Sequence, residues 1–320
     1  MNATSPMENL SLATNLSECY MVDSSSRKKL FLFFYVAVII LAIPLNTFSL
    51  YVAWQHIRLK NELGVYLFNL AISDLTYAIG LSLWLDFLWR GLWAHGGYVC
   101  MLSINILFTN FYTSEALLCC IAVNRYLAVV HPFKFSFLRR TGTTTAVSIL
   151  IWVVVICFNA TTITWEDTYY DNDKFSLCFE ILPVSENLAR VNVARFFMGF
   201  IVPVFLVVFS TWRIFEGVKS NQATERQERK RISKLLVAVL LCLLLCFGPI
   251  HVAMLLQSVV EGCKNATWLL HLNKIGGAIS SLNCLADPLF YCFITRTGKA
   301  NVNQVVLFFQ DKKRSTDESV

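Results

Sequence analysis

A chain of 320 residues that is 56% hydrophobic and only 15% charged is too apolar for an ordinary soluble domain, where the shares run near roughly 45–50% and 25%. Its mean hydropathy of +0.56 points to a polytopic membrane protein. The net charge of +6 lies largely in short segments between apolar spans, where it sets orientation, so it does not argue for nucleic acid as a partner.

Residues 1–29 read as a polar N-terminal segment, and the stretch up to Ser26 lacks the apolar core of a cleavable leader. Seven apolar spans follow, at 30–54, 63–89, 100–130, 143–164, 188–218, 232–260 and 268–294. Each suits a membrane helix, given a rise of about 1.5 Å per residue and a hydrocarbon core of about 30 Å. The fold class expected is therefore an all-α membrane protein, a seven-transmembrane helix bundle occupying 30–294. Residues 295–320 form a tail. In it Val302, Val305, Val306 and Phe309 recur at helical spacing, which predicts a short amphipathic helix on the membrane surface.

Basic residues fix the expected orientation. Arg58 and Lys60, then Lys134, Arg139 and Arg140, then the run from Arg226 to Lys234, and finally the tail lysines and arginines all fall on one side. That side is expected to be cytoplasmic and the N-terminus extracellular. The Asn-X-Ser/Thr sequons at Asn2, Asn9, Asn15 and Asn265 cluster on the side read as external, as glycosylation requires. Asn159 also opens a sequon, but within the fourth span, where it reads as a chance match.

The cysteines fall into two groups. Cys119, Cys120, Cys157, Cys242, Cys246, Cys284 and Cys292 lie inside spans and read as small apolar residues. Cys19, Cys100, Cys178 and Cys263 lie on the external side, where disulfides form; four cysteines allow three pairings.

Polar groups inside the spans are costly and therefore informative. Asn46, Asp74, Ser114, Asn283 and Asp287 should fall at similar depth. Carboxylates there read either as an ion or proton site, in which neighbouring like charges hold a proton or cation, or as a structural polar network. Pro203, Pro249 and Pro288 lie within spans, where each removes a backbone hydrogen bond and permits a hinge. Histidine is the side chain whose ordinary pKa, about 6.5, lies in the external acid range. His56 and His131 fall on the cytoplasmic side, which leaves His95, His251 and His271 as sensor candidates. Glu115, inside the third span, joins Asp74 and Asp287 as a titratable acid.

These residues together resemble a known family. Asn46, Asp74 after Leu-Ala-Ile-Ser, Asn124-Arg125-Tyr126, Trp152, Pro203, Cys246-Phe-Gly-Pro249 and Asp287-Pro288-Leu-Phe-Tyr291 match the rhodopsin-like (class A) G-protein-coupled receptors at the right spacing. The stretches around Asn61, Trp93-Ala-His95-Gly, Cys119 to Lys134, Ala223 to Ile232, and Ser281 to Phe293 resemble the proton-sensing receptors, in particular their psychosine-receptor branch. The resemblance implies a multi-pass plasma-membrane receptor activated by external acid. It also implies coupling to a heterotrimeric G protein, with the stimulatory type and cyclic AMP expected, and binding of arrestin. A lysolipid would be a further ligand, and a sodium ion at Asp74 an accompaniment. Neither a cofactor nor an enzyme activity is implied.

By the same resemblance, Asn124, Arg125 and Tyr126 would form the G-protein contact, with Asp74 and Asp287 as a buried acidic pair. The bridges would be Cys100–Cys178 and Cys19–Cys263. Glu180, Asp86 and Arg195 would be polar residues of the outer pocket. Several positions depart from the family pattern. Asn124 replaces an aspartate, which removes a carboxylate that would hold Arg125 and makes a constitutively active receptor an alternative expectation. Arg229 stands where some relatives have an acid, Ser82 replaces a proline, Glu115 replaces an uncharged residue, and Lys274 occupies a position where some relatives carry a histidine. A transporter or channel would also place charge at mid-membrane, but no inverted repeat is visible. An opsin lysine, an amine-binding acid at Leu107 and an enzyme motif are all missing from the sequence.

Overall fold

A computed structural model describes residues 25–131, 133–165, 169–172, 175–179, 184–220, 226–260 and 263–294. Helices α1 (Ser25–Arg58), α2 (Glu62–Arg90), α3 (Gly96–Val130) and α4 (Thr141–Trp165) follow one another, with a 3-10 turn at Ser136–Arg139. Helix α5 has three stretches: Glu186–Arg195, a π-helical turn at Phe196–Ile201, and Val202–Ser220. Helix α6 is built likewise, from Arg226–Cys242, a π turn at Leu243–Phe247, and Gly248–Val259. Helix α7 comprises Cys263–Ser281 and Asn283–Ile294.

Six of these helices are each long and apolar enough to cross a membrane. The seventh span is present but divided at Leu282: Cys263–Ser281, at 19 residues, carries too many polar side chains, and Asn283–Ile294, at 12 residues, is too short. The seven-helix bundle is therefore as expected. The strands are not: β1 (Tyr169–Asn172) and β2 (Phe175–Cys178) pair antiparallel, Tyr169 opposite Cys178 and Asn172 opposite Phe175. Helix ends also run past the apolar spans, because polar residues beyond the hydrocarbon can stay helical with their side chains in water. As a result Asn265, expected in a loop, falls in the first turn of α7.

The prolines explain the irregular turns. Pro203 and Pro249 cannot donate to the carbonyls of Gly199 and Leu245, and each of those residues lies in a π turn. Pro288 likewise leaves the Cys284 carbonyl without its helical donor, and Asn46 on α1 supplies one, its Nδ2 donating at 2.8 Å. Ahead of this, α7 tightens: Leu285 N and Ala286 N both donate to the Leu282 carbonyl. Ser82, which replaces the family proline, leaves α2 continuous from Glu62 to Arg90.

Burial runs inward from lipid-type surfaces. Phe33, Ile149, Leu150, Phe205 and Leu245 are exposed, as a helix facing acyl chains requires. Leu70, Leu117, Leu118, Leu236, Leu243 and Phe247 are fully buried at the centre. The hairpin caps one end of the bundle. Cys178 is disulfide-bonded to Cys100 at the start of α3. Trp93 N donates to the Ser176 carbonyl at 3.0 Å, and Ser176 Oγ returns a bond to the Trp93 carbonyl at 2.6 Å. The expected Cys19–Cys263 bridge, the sequons at Asn2, Asn9 and Asn15, the Asn265 and Arg229 side chains, Glu180 and the tail helix lie outside what is described.

Candidate functional site

The polar residues form clusters at separate depths. At the hairpin end, Asp86 near the end of α2 accepts from Arg90 Nε at 2.8 Å and sits 2.9 Å from His95 Nε2. His95 packs edge-on against the buried Trp93 ring, centroids 5.4 Å apart. Asp86 is thus engaged by Arg90 and His95.

Beneath the hairpin lies a cavity of about 120 Å³, lined mainly by aromatic and aliphatic side chains. Its polar lining comes from Asn192, Gln257, Asn273 and Lys274. Phe179, directly after the disulfide, holds a left-handed φ of 61° and presses on Phe108, centroids 5.2 Å apart. His271 is half-buried on α7, one turn from Lys274.

Behind the cavity wall, Arg195 of α5 is buried, its guanidinium 4.6 Å from the centroid of the Phe108 ring and 5.7 Å from those of Tyr112 and Phe158. Its Nη2 donates to Asn159 Oδ1 at 3.2 Å. Among the described residues no carboxylate pairs with it, so the aromatic faces and side-chain amides carry its charge. Asn159, read from sequence as a chance sequon, is therefore a buried hydrogen-bonding residue.

Next to this group, Glu115 of α3 meets His251 of α6. Glu115 Oε1 lies 3.5 Å from His251 Nδ1, and each side chain is 1% exposed. His251 Nδ1 is also 2.9 Å from the Phe247 carbonyl. Among the described residues, neither Glu115 oxygen nor His251 Nε2 has a hydrogen-bond partner. The imidazole stacks on Phe200, centroids 5.1 Å apart, and lies edge-on to Tyr112 at 5.9 Å. Gly199 permits this packing, because a Cβ there would fall 2.7 Å from the Tyr112 ring. Both π turns, at Phe196–Ile201 and Leu243–Phe247, flank the pair.

Deeper, Asp74 Oδ1 accepts from Asn110 Nδ2 at 3.1 Å, and the same nitrogen lies 3.0 Å from Ser73 Oγ. Asn283 Nδ2 is 3.3 Å from Asp287 Oδ2, and Cys242 Sγ is 3.2 Å from Asn283 Oδ1. Asp74 Oδ2, Asp287 Oδ1 and Ser114 Oγ are buried without a hydrogen-bond partner among the described residues. Asp74, Ser114, Asn283 and Asp287 are thus all buried in the bundle, and Asn46 reaches the same region through Cys284. Sequence reasoning missed Asn110, although a buried amide one turn from Ser114 was a visible signal. No group of three or more metal-type ligands occurs among the described residues.

At the far end, Arg125 Nη2 lies 3.0 Å from Glu62 Oε1 and 3.1 Å from Asn124 Oδ1. Tyr126 Oη is 3.1 Å from His131 Nε2. Glu62 was not singled out from sequence, since an acid in the first turn of a helix is commonplace.

Comparison with known proteins agrees with this architecture. Residues 45–291 match the family model described as 7 transmembrane receptor (rhodopsin family). The chain is 39% identical over 295 residues to human G-protein coupled receptor 65, covering 87% of each. It is 34% identical over 287 residues to human G-protein coupled receptor 68, covering 89% of this chain and 79% of that one. Bovine lysophosphatidic acid receptor 5 is 30% identical over 273 residues, covering 81% and 74%.

Proposed function

Since the chain belongs to the rhodopsin family of seven-transmembrane receptors, we propose that it is a plasma-membrane receptor, N-terminus outside, switched on by extracellular acid and signalling through a heterotrimeric G protein. The hairpin end is then extracellular and the Arg125 end cytoplasmic. The observation that carries the proton reading is the Glu115–His251 pair, an acid and an imidazole 3.5 Å apart and sealed from solvent. Burial penalises charge on either group and proximity favours opposite charges. One proton therefore changes the electrostatics between α3 and α6 at the depth of both π turns. Asp74 and Asp287, within electrostatic range of each other, are a second place where a proton or a small cation would offset repulsion. Asp74 Oδ2 and Ser114 Oγ, unpartnered among the described residues, are oxygens suited to a hard cation such as sodium. His95 with Asp86 is the outermost candidate. Arg195, His271, Lys274 and Glu180 complete the outer pocket in this reading. Asn124, Arg125 and Tyr126 meet the G protein, with arrestin a further partner.

The test is G-protein activation, with cyclic AMP as first readout, while external pH steps from about 8 to about 6, a window bracketing the ordinary histidine pKa. A sigmoidal rise is expected, shifted or lost in His251→Phe and Asp287→Asn. A flat response in the parent chain overturns the proposal. The cavity favours a second reading, a lysolipid receptor, because its lining joins aromatic walls to Lys274. At about 120 Å³ it is smaller than a typical ligand pocket of roughly 300–1,000 Å³, so a lipid would have to open it. A proton response that persists in delipidated medium separates the two.

A further inference from the structure

Asn124 cannot form an ion pair with Arg125, yet Arg125 is not left to water. Its Nη2 is 3.0 Å from Glu62 Oε1 while donating to Asn124 Oδ1 at 3.1 Å, and the two charged side chains are only 19% and 18% exposed. The acid comes from α2, not from the neighbouring position on α3. Resting on the reading that Arg125 enters the G-protein interface, we propose that Glu62 is the positioning residue that holds Arg125 in the resting receptor, and that this chain is quiet without acid even though it lacks a carboxylate at 124.

The local structure fixes Glu62 closely. Lys60 takes a left-handed φ of 56°, which reverses the chain after α1. Asn61 N donates to the His56 carbonyl at 3.0 Å, and Asn61 Oδ1 accepts from Leu63 N at 3.1 Å, capping α2. Gly64 lets α2 lie against α1: a Cβ there would fall 2.9 Å from Ile57 N and 3.0 Å from the Ala53 carbonyl. The carboxylate that follows the cap is thus presented from a rigid corner. Arg58 and Lys60, the nearby cations of that corner, are exposed, whereas Arg125 is half-buried against α2 and α3.

An acid in the first turn of a helix is also favoured by the positive end of the helix dipole, and that role would need no Arg125. Rescue separates the two. If Glu62 serves only α2, an acid placed at 124 cannot replace it. If Glu62 restrains Arg125, Asn124→Asp supplies a carboxylate to the same guanidinium.

The experiment compares the parent chain, Glu62→Gln, Glu62→Asp, Asn124→Asp and the double variant Glu62→Gln/Asn124→Asp in the full-length receptor. Surface density is matched by antibody labelling. Recruitment of mini-G probes of all four G-protein classes is read at external pH near 8 and near 6. Glu62→Gln is expected to raise recruitment at pH 8 about fivefold, the weight of a partly exposed ion pair, while the acid plateau stays close to the parent. Glu62→Asp should raise it less, and the double variant should return towards the parent level. Parental recruitment by Glu62→Gln at pH 8, or a raised level that Asn124→Asp fails to lower, overturns the assignment. A parent chain that ignores acid with every probe would instead defeat the proton reading, while the comparison of Glu62→Gln with parent at pH 8 still decides the role of Glu62.

Discussion

Replacing Glu115 by glutamine preserves shape and volume but removes the carboxylate that faces His251 at 3.5 Å. Opposite unit charges about 4 Å apart attract by ~4 kcal/mol at an effective dielectric near 20. At ~1.4 kcal/mol per pH unit, that sets a ceiling of roughly three units on what the acid contributes to holding a proton at the pair. Two features reduce it. The Arg195 guanidinium, stacked on the neighbouring Phe108 and Tyr112 rings, repels an imidazolium, and burial itself opposes charge. A midpoint shift of about one unit or more should remain. The sign follows from linkage. Acid activates because the active receptor binds the proton more firmly than the resting one. A neutral amide stabilises the protonated imidazole less, so more acid is needed and the midpoint moves to lower pH. The assay is the pH titration of G-protein activation for parent and Glu115→Gln at matched surface density. An unmoved midpoint at an unmoved baseline refutes the reasoning, as does a shift towards alkaline pH.

Two further outcomes concern stability. Asn46→Ala should lower thermal stability of the purified receptor by ~1–3 kcal/mol, because the Cys284 carbonyl freed by Pro288 loses its 2.8 Å donor and stays buried; thermal unfolding followed by thiol-reactive dye measures this. Cys178→Ser opens a bridge spanning 78 residues and should cost up to ~4 kcal/mol by chain entropy, seen as reduced surface expression and a lower melting point. The hydrogen bonds between Trp93 and Ser176 keep β2 partly docked, so loss of the acid response should be incomplete.

The helices were legible because hydrocarbon thickness demands long apolar runs, and every span found by hydropathy became a helix. The prolines were legible for a similar reason, since their chemistry limits what the backbone can do around them, and the Cys100–Cys178 bridge was legible through resemblance. The hairpin was not. Tyr169–Asn172 and Phe175–Cys178 are four residues each, too short for an alternating pattern to stand out, and a disulfide together with two hydrogen bonds between Trp93 and Ser176, one of them from the Ser176 hydroxyl, holds them in place. That Asp74, Ser114, Asn283 and Asp287 lie inside the bundle was legible from their place within apolar spans, but their partners were not, because a hydrogen bond between α2 and α3 has no sequence period. The same limit hid Glu62, which lies 63 residues from Arg125. Arg195 could be placed in the outer pocket only by resemblance. That it is held by aromatic faces and Asn159 depends on α3, α4 and α5 converging.

The partners of α3 indicate which part of the bundle a proton would move. Asn110 ties α3 to Ser73 and Asp74 of α2, and Arg125 ties it to Glu62 of α2, so α2 and α3 are fastened by polar contacts at two depths. Towards α6, among the described residues, Glu115 of α3 meets His251, Tyr112 lies edge-on to the same imidazole, and Phe111 packs against Phe247 at 6.4 Å. Apolar surfaces slide at little cost compared with breaking buried hydrogen bonds. Helix α6 also carries its own weak point, the π turn at Leu243–Phe247 ahead of Pro249. On the proposed reading, a proton at Glu115 and His251 therefore acts at the α3–α6 boundary, where α6 is free to shift against a fastened α2–α3 unit. The latch at Glu62 is then released from the partner side, when the displaced α6 lets the G protein reach Arg125. Proton binding and latch release are thus distinguishable: Glu62→Gln, by weakening the resting state, should raise the baseline and move the midpoint towards alkaline pH, whereas Glu115→Gln should move it to lower pH.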